Sequence, residues 1–189
     1  MAIRLLADSN AYFRLAREIH PLLGKAFGDP AYAIYVIKEL DVEFSKAPHL
    51  QSKFYWVKDD QFVENRGDNC LGSEIDPFEL TQTIKFMKDH KYQRALGVSK
   101  VDIVVLAIGY LLGITIISDD KDIQEMAKDY EMIECMTSLE VLDWLYGEGI
   151  LSLKRIKAIV QMWRHDKDLP NGEFAFEQIF FEIFNSPPW

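Results

Sequence analysis

Residues 102–120 carry the sequence DIVVLAIGYLLGITIISDD, an apolar run that begins and ends with Asp. Its uncharged part, 103–117, is shorter than the roughly 18 to 20 residues that a membrane-spanning helix needs. We therefore predict a buried helix over 99–112 and a buried strand over 114–117. A helix that is apolar on all sides has to be covered by other elements, so this stretch indicates the interior of a layered α/β fold.

The same alternation of apolar runs and helical patterns continues along the chain to about residue 147. We predict further strands over 3–7, 32–37 and 132–136, a strand or buried turn over 54–57, a loop over 65–69, and helices over 10–23, 38–46, 77–94, 121–130 and 139–146. Alternating strands and helices are typical of a parallel sheet with crossover helices. The predicted fold is three-layer α/β, with a central parallel sheet of four or five strands flanked by helices. Residues 1–147 would form this domain, and 148–189 a C-terminal helical extension.

Composition limits the class of protein. The chain has 189 residues, of which 49% are apolar, enough for one well-packed core and too many for a disordered protein. Its net charge is −9, which argues against binding nucleic acid through a broad basic surface. Cys70 and Cys135 lack the CxxC spacing, so we expect reduced thiols in a cytoplasmic protein. Asp8 comes too early for a signal peptide to precede it, and we expect no membrane segment.

Four carboxylates stand beside apolar runs that are far apart in sequence. Asp8 follows the strand predicted over 3–7, and Glu39 lies in the first turn of the helix predicted over 38–46. Asp102 lies at the start of the apolar helix, and Asp120 follows the strand predicted over 114–117. Strand ends in an open parallel sheet meet at one crevice. Carboxylates about 5 Å apart there would repel by roughly 3 kcal/mol per pair at an effective dielectric constant near 20. A bound Mg²⁺ or Mn²⁺ would remove that repulsion, since both prefer oxygen ligands.

Each acid also has a structural explanation. Asp8 can cap the helix that follows it, Ser99 and Asp102 have the spacing of a capping box, and Asp119 or Asp120 can cap the helix at 121. A carboxylate at a helix N-terminus is favoured by the helix dipole. Capping and metal binding are therefore compatible, and both interpretations remain open at this point.

Four short segments, taken in chain order, resemble motifs of the PIN-domain nucleases. These segments are Leu5–Asn10, Val36–Leu40, Gly97–Ile103 and Ile116–Ile123. The resemblance covers about residues 3–146. It implies acids that hold one or two Mg²⁺ or Mn²⁺ ions and an activity that hydrolyses phosphodiester bonds in single-stranded RNA. It also suggests the toxin half of a toxin–antitoxin pair, and hence an antitoxin or other protein partner.

Carried over residue by residue, the resemblance assigns roles to eight positions. Asp8, Glu39, Asp102 and Asp120 would be catalytic and metal-binding, Asp122 an outer or second-metal ligand, and Ser9, Ser118 and Lys100 substrate-binding. Ser118 stands where Thr is commoner in the family, which keeps the hydroxyl. Asp41 or Glu43 could take the role given to Glu39, and Asp119 competes with Asp120 as the main ligand.

Two further segments could contact partners. Lys85, Lys88, His90, Lys91, Arg94 and Lys100 lead up to Asp102 and form either a local phosphate-binding surface or a solvated helix face. Phe174, Phe176, Phe180, Phe181 and Phe184 either pack over the core or provide an interface for a homodimer or another protein. These segments support an alternative function, a non-catalytic PIN-like module that binds RNA or protein.

Overall fold

The computed structural model describes residues 2–131 and 133–189. Its strands are β1 (Ile3–Ala7), β2 (Tyr32–Ile37), β3 (Cys70–Leu71), β4 (Thr115–Ile117) and β5 (Cys135–Met136). Its α-helices are α1 (Ser9–Leu15), α2 (Glu39–Lys46), α3 (Pro48–Lys53), α4 (Asp60–Asp68), α5 (Pro77–Arg94), α6 (Lys100–Leu112), α7 (Lys121–Ala127), α8 (Ser138–Gly147), α9 (Leu153–His165) and α10 (Glu173–Phe184). A short 3-10 helix, Tyr55–Lys58, connects α3 and α4.

All five strands are parallel and lie in the order β3-β2-β1-β4-β5. Strand β1 is therefore central, with Leu6 level with Tyr35 of β2 on one side and with Ile116 of β4 on the other. The chain leaves β1 toward β2 and returns to β4, so the strand order reverses at β1. In open α/β sheets this reversal marks the crevice where ligands bind, at the carboxyl ends of the strands.

Alternation along the strands directs side chains to two separate hydrophobic clusters. Leu5 and Ala7 of β1 face a cluster built with α1, α2, α8, α9 and α10. Leu6 and Ile116 face a second cluster built with α5, α6 and α7. The predicted α/β fold with helices on both faces of a parallel sheet is confirmed, and the sheet has five strands.

The helices after residue 147 pack against the first of these clusters. Trp163 of α9 and Phe176 and Phe180 of α10 are buried among residues of α1 and α8. The Trp163 indole Nε1 also donates to the Arg14 carbonyl at 3.0 Å. The extension therefore contributes a covering layer to the same core that contains β1.

The structure corrects two predicted elements. The helix predicted over 10–23 ends at Leu15 and gives way to turns, and Pro21, which lacks an N–H group and disfavours helical backbone at the residue before it, excludes a continuous helix as far as residue 23. The loop predicted over 65–69 is mostly helical, since α4 extends to Asp68. Arg66 in that helix is buried and donates to Tyr12 and to the Val57 carbonyl, and these tertiary bonds outweigh the local preference of Gly67.

The remaining differences concern short elements. The two-residue strand β3 has no visible sequence signal and pairs with Val36 and Ile37. Segment 54–57 is a buried turn that forms the 3-10 helix. Of the strand predicted over 132–136, Cys135 and Met136 form β5, and Met132 lies outside the described residues. Within the part of the chain that is described, no helix is long and apolar enough to cross a membrane.

Candidate functional site

Asp8 lies at the centre of the sheet, directly after β1, and its side chain is almost fully buried, with 1% of the residue exposed. It is the N-cap of α1, and its Oδ1 accepts a hydrogen bond from the Ala11 amide at 2.6 Å. The Ser118 hydroxyl, from the turn after β4, donates to Oδ2 of Asp8. The two strand ends on either side of the reversal are therefore joined through this one carboxylate.

The surroundings of Asp8 disfavour its charge. Burial is the largest cause and raises the pKa of Asp8 from 3.8 to about 7, against the lowering effect of the hydrogen bonds from Ser118 and Ala11. The nearby charges of Asp119 and Asp102 raise the pKa further. Asp8, Asp102 and Asp119 therefore interact electrostatically, although they are remote in sequence.

Asp102 lies in the first turn of α6 and is half-buried. Its Oδ2 accepts from the Ser99 amide at 2.9 Å, while the Ser99 hydroxyl accepts from the Asp102 amide at 3.1 Å. This reciprocal pair is a capping box, as the spacing predicted. The box fixes the Asp102 carboxylate at the start of α6, near enough to Asp8 for its charge to affect that residue.

The turn after β4 holds three acids in three different ways. Asp120 is exposed and caps α7, with Oδ1 accepting from the amides of Asp122 at 2.7 Å and Ile123 at 3.3 Å. The Asp120 amide donates to Ser118 Oγ at 3.1 Å, so the hydroxyl that contacts Asp8 also orders this turn. Asp122 accepts from the Gly97 amide at 2.7 Å and thereby ties the loop before α6 to the start of α7.

Gly97 leaves no room for a side chain at that contact. A Cβ atom placed on Gly97 would lie 2.5 Å from Oδ2 of Asp122. The bond between Asp122 and Gly97 therefore positions the segment that leads to Asp102. The predicted role of Asp122 as an outer ligand would therefore fall to Oδ1, or to an Oδ2 that also keeps this bond.

Asp119 is buried, and both of its carboxylate oxygens have polar partners. It accepts from the Ser138 amide at 3.0 Å and the Ser138 hydroxyl at 2.6 Å, and it pairs with Arg14 Nη1 at 2.6 Å. Arg14 Nε in turn lies 3.2 Å from a carboxylate oxygen of Asp168, in the loop between α9 and α10. Asp119 therefore links the site to α1, α8 and the C-terminal extension, and its negative charge is compensated.

The acid of α2 that reaches the Asp8 turn is Glu43. Its Oε2 accepts from the Ser9 hydroxyl at 2.6 Å, and Ser9 directly follows Asp8. Glu39 begins α2 as predicted, but its charge acts on Cys70 of β3, where it contributes with Asp41 to a raised thiol pKa that is due chiefly to burial. Asp41 pairs with Arg66 at 2.9 Å, so of the three candidates on this helix Glu43 has the direct connection to the site.

Part of the predicted basic segment is engaged in contacts within the fold. Arg94 pairs with Asp129 at 2.8 Å, and the Lys91 ammonium donates to the Val98 carbonyl. Lys100, by contrast, is the first residue of α6 and is exposed. Lys38 at the start of α2 and Lys121 at the start of α7 are exposed as well, so three lysines surround the carboxyl edge of the sheet.

The donor chemistry around Asp8 suits a hard cation, since the convergent groups are carboxylate and hydroxyl oxygens. Asp8, Asp102 and Asp120 are the residues that could hold such an ion. Within 2–131 and 133–189, however, no three His, Cys, Asp or Glu side chains already form a cluster with the geometry of a metal site. Each candidate carboxylate instead accepts hydrogen bonds from neighbouring backbone or hydroxyl groups, which an ion would have to replace or share.

Sequence reasoning did not single out Arg14 and Ser138, which together fix Asp119. Neither has a sequence signal, because their partner is more than 15 residues away in each case and is reached only through the sheet. No family model matches the chain, and no curated protein matches it either.

Proposed function

We propose that this protein is a Mg²⁺- or Mn²⁺-dependent ribonuclease with a PIN-like site at the carboxyl edge of its sheet. The observation that supports this most strongly is the placement of Asp8. It is a buried carboxylate at the strand-order reversal, within range of the Asp102 charge and bonded to Ser118 of the neighbouring strand. Few structural needs require an acid there, whereas a divalent cation would compensate its burial.

In this proposal Asp8 and Asp102 hold the ion, and Asp120 completes the set from the exposed side of the turn. A bound divalent cation supplies a water of lowered pKa and stabilises charge on the attacking and leaving oxygens of the phosphodiester. The Ser118 hydroxyl orients Asp8 by donating to Oδ2. Ser9 orients Glu43, which can accept a proton from a water at the rim of the site.

The substrate has to be held locally, because the whole chain has a net charge of −9. Lys38, Lys100 and Lys121 stand around the carboxyl edge of the sheet at the starts of three helices. Their ammonium groups would contact successive phosphates of a flexible strand, and the helix N-termini add partial positive charge. This arrangement favours single-stranded RNA, whose backbone can bend into a crevice, over a rigid duplex.

A second function, a PIN-like module that binds RNA or protein without catalysis, is favoured by a different observation. The carboxylates of Asp8, Asp102 and Asp120 all act as helix-capping groups, and Asp119 is neutralised by Arg14. A site in which every acid has a structural partner can be stable without a metal. In that case the lysines would bind RNA and the phosphodiester would stay intact.

Metal titration separates the two functions. We expect Mn²⁺ at one hundred times its dissociation constant to stabilise the protein by about 2.7 kcal/mol, or roughly 5 to 11 °C in melting temperature for a chain of this size. Labelled single-stranded RNA should be cleaved with Mn²⁺ and not with EDTA. Asp8→Asn and Asp102→Asn should abolish both effects, whereas Asp89→Asn, an exposed acid on α5, should change neither.

The outcome of these assays decides between the proposals. RNA that binds but stays intact, with no Mn²⁺-dependent change in melting temperature, supports the binding module. Full cleavage by both Asp8→Asn and Asp102→Asn contradicts the nuclease assignment. A toxin role would further predict that expression of the unmodified protein arrests growth and that Asp8→Asn relieves the arrest.

A further inference from the structure

Helix α10 has aromatic side chains on two faces. Phe176, Phe180 and Phe184 are buried and face the core. Phe174 and Phe181 point outward, with 77% and 52% of their surface exposed. They are seven residues apart, which places them about two turns and 10 Å apart on the same side of the helix. The buried face accounts for the packing of α10, so the outer pair has no role in the core.

The chain end forms a groove beside this outer face. Trp189 folds back onto α10, stacks on Phe176 at an interplanar angle of 13°, and donates from Nε1 to Glu177 at 2.9 Å. Between this segment and the helix lies an open groove of about 530 Å³. Its lining includes Glu177, Phe181, Glu182, Pro187 and Trp189.

Helix α10 carries charge of one sign. Helix α10 contains Glu173, Glu177 and Glu182 and no Lys or Arg. One arginine of this chain already binds to an aromatic ring and a carboxylate at this surface. The Arg164 guanidinium lies 4.3 Å from the centroid of the Trp189 ring and pairs with Glu173. An aromatic ring and a carboxylate therefore bind a guanidinium together within the fold, and the groove is lined by a second ring and a second carboxylate, those of Phe181 and Glu182.

We propose that this groove is a docking site for a basic, amphipathic segment of a partner protein. An arginine or lysine of that segment would lay its aliphatic stem on Phe181 and bring its charge to Glu182. An apolar residue would lie against Pro187. The proposal is independent of the nuclease function, because it uses no residue of the sheet edge.

A second copy of the chain is a poorer fit for the same groove. A symmetric dimer would place this patch against itself. The acids of α10 would then lie at one interface with the acids of the second α10, and like charges across an interface oppose association. The occupant favoured by charge is thus a different and basic chain.

The test uses the full-length protein and a fluorescein-labelled peptide with arginine and leucine at helical spacing. The control peptide carries glutamate in place of every arginine. We expect the basic peptide to bind and the acidic one not to bind. Phe181→Ala and Glu182→Gln should each weaken binding about fivefold, as loss of a cation–π or ion-pair contact predicts. Phe78→Ala, which removes a more exposed ring on α5, and Glu64→Gln on α4 should leave the affinity unchanged.

Several results would overturn the proposal. Equal binding of the two peptides would show that charge plays no part. Equal losses in the Phe78→Ala and Phe181→Ala proteins would show binding to exposed aromatic rings in general, and equal losses in the Glu64→Gln and Glu182→Gln proteins would show binding to acidic surface in general. A dimer in analytical ultracentrifugation that dissociates on Phe181→Ala would make a second copy the occupant. Because Phe181 and Glu182 are exposed, an unchanged melting temperature in these variants serves as the folding control.

Discussion

Asp8→Asn should gain stability relative to the unmodified protein as the pH rises from 5 to 8, and it should remove the proposed metal site. The asparagine amide keeps an oxygen that can accept from the Ala11 amide, and it has nearly the same size as the carboxyl group. It carries no charge, so the cost of burying an ionised group beside Asp102 and Asp119 disappears. A site arranged only for stability would not be improved by this change.

The size of the effect follows from the pKa of Asp8, which is about 7 in the folded protein against an ordinary value of 3.8. Below about pH 4 the residue is protonated in both states, and the stabilisation is fully present. From there to pH 7 the unfolded chain loses the proton that the folded protein retains, so the free energy of unfolding falls by up to about 4 kcal/mol and then levels off. Between pH 5 and pH 8 the fall is about 3 kcal/mol.

The assay is urea unfolding of both proteins at pH 5 and pH 8 in EDTA. The difference in free energy of unfolding, mutant minus unmodified, should increase by about 3 kcal/mol between these pH values, which corresponds to roughly 6 to 12 °C in melting temperature. Titrating groups remote from Asp8 are common to both proteins and cancel in the difference. Asp89→Asn should give a difference that does not vary with pH. Parallel curves for the Asp8→Asn and unmodified proteins would refute the argument that a buried, crowded carboxylate lies at this position.

Three further substitutions test the contacts that position the site and the packing of the C-terminal extension. Arg14→Met should destabilise the protein by about 3 to 5 kcal/mol, because it leaves Asp119 buried without its cation; thermal unfolding measures this, and a loss below 1 kcal/mol would show the pair to be solvated. Asp122→Ala should cost about 1 kcal/mol by freeing the Gly97 amide, and hydrogen exchange of that amide should speed up while exchange in α10 stays constant. Phe176→Ala should cost about 3 to 5 kcal/mol in urea unfolding, and a value near that of an exposed Phe would mean that the extension does not share the core.

The fold was predictable where the local sequence carries a signal of its own. The strands at 3–7 and 32–37 agree with the structure because they are mainly apolar, β-prone runs, and the helix at 77–94 agrees because Pro77 suits its first turn. The predictions failed where an element is stabilised by residues that are distant in sequence. The helix α4 depends on Arg66, which reaches Tyr12 of α1, and β3 exists only because β2 offers it a pairing edge. Neither partner can be identified from the local sequence.

At the candidate site, the sequence predicted well which turns lie close together. It predicted less well which acid of each turn points into the site. Asp8 and Asp102 interact, and Ser118 contacts Asp8, as convergence at strand ends requires. The choice between Glu39 and Glu43 could not be made from spacing, since both follow the same strand and differ by about one helical turn. The Ser9 hydroxyl connects Glu43 to the site, and this bond depends on how α2 packs beside the Asp8 turn.

Helix capping and metal binding produce the same sequence signal, and this explains why the acids of this chain support both. The N-terminus of a helix that follows a parallel strand lies at the carboxyl edge of the sheet, where its free amides and dipole favour a carboxylate. Asp120 meets that description and is exposed, as an ordinary cap is. Asp8 also caps a helix, yet it is buried and close to two other acids. A cap needs neither burial nor like charges nearby, so these two properties, and not the capping itself, are the reason to look for a cation at Asp8.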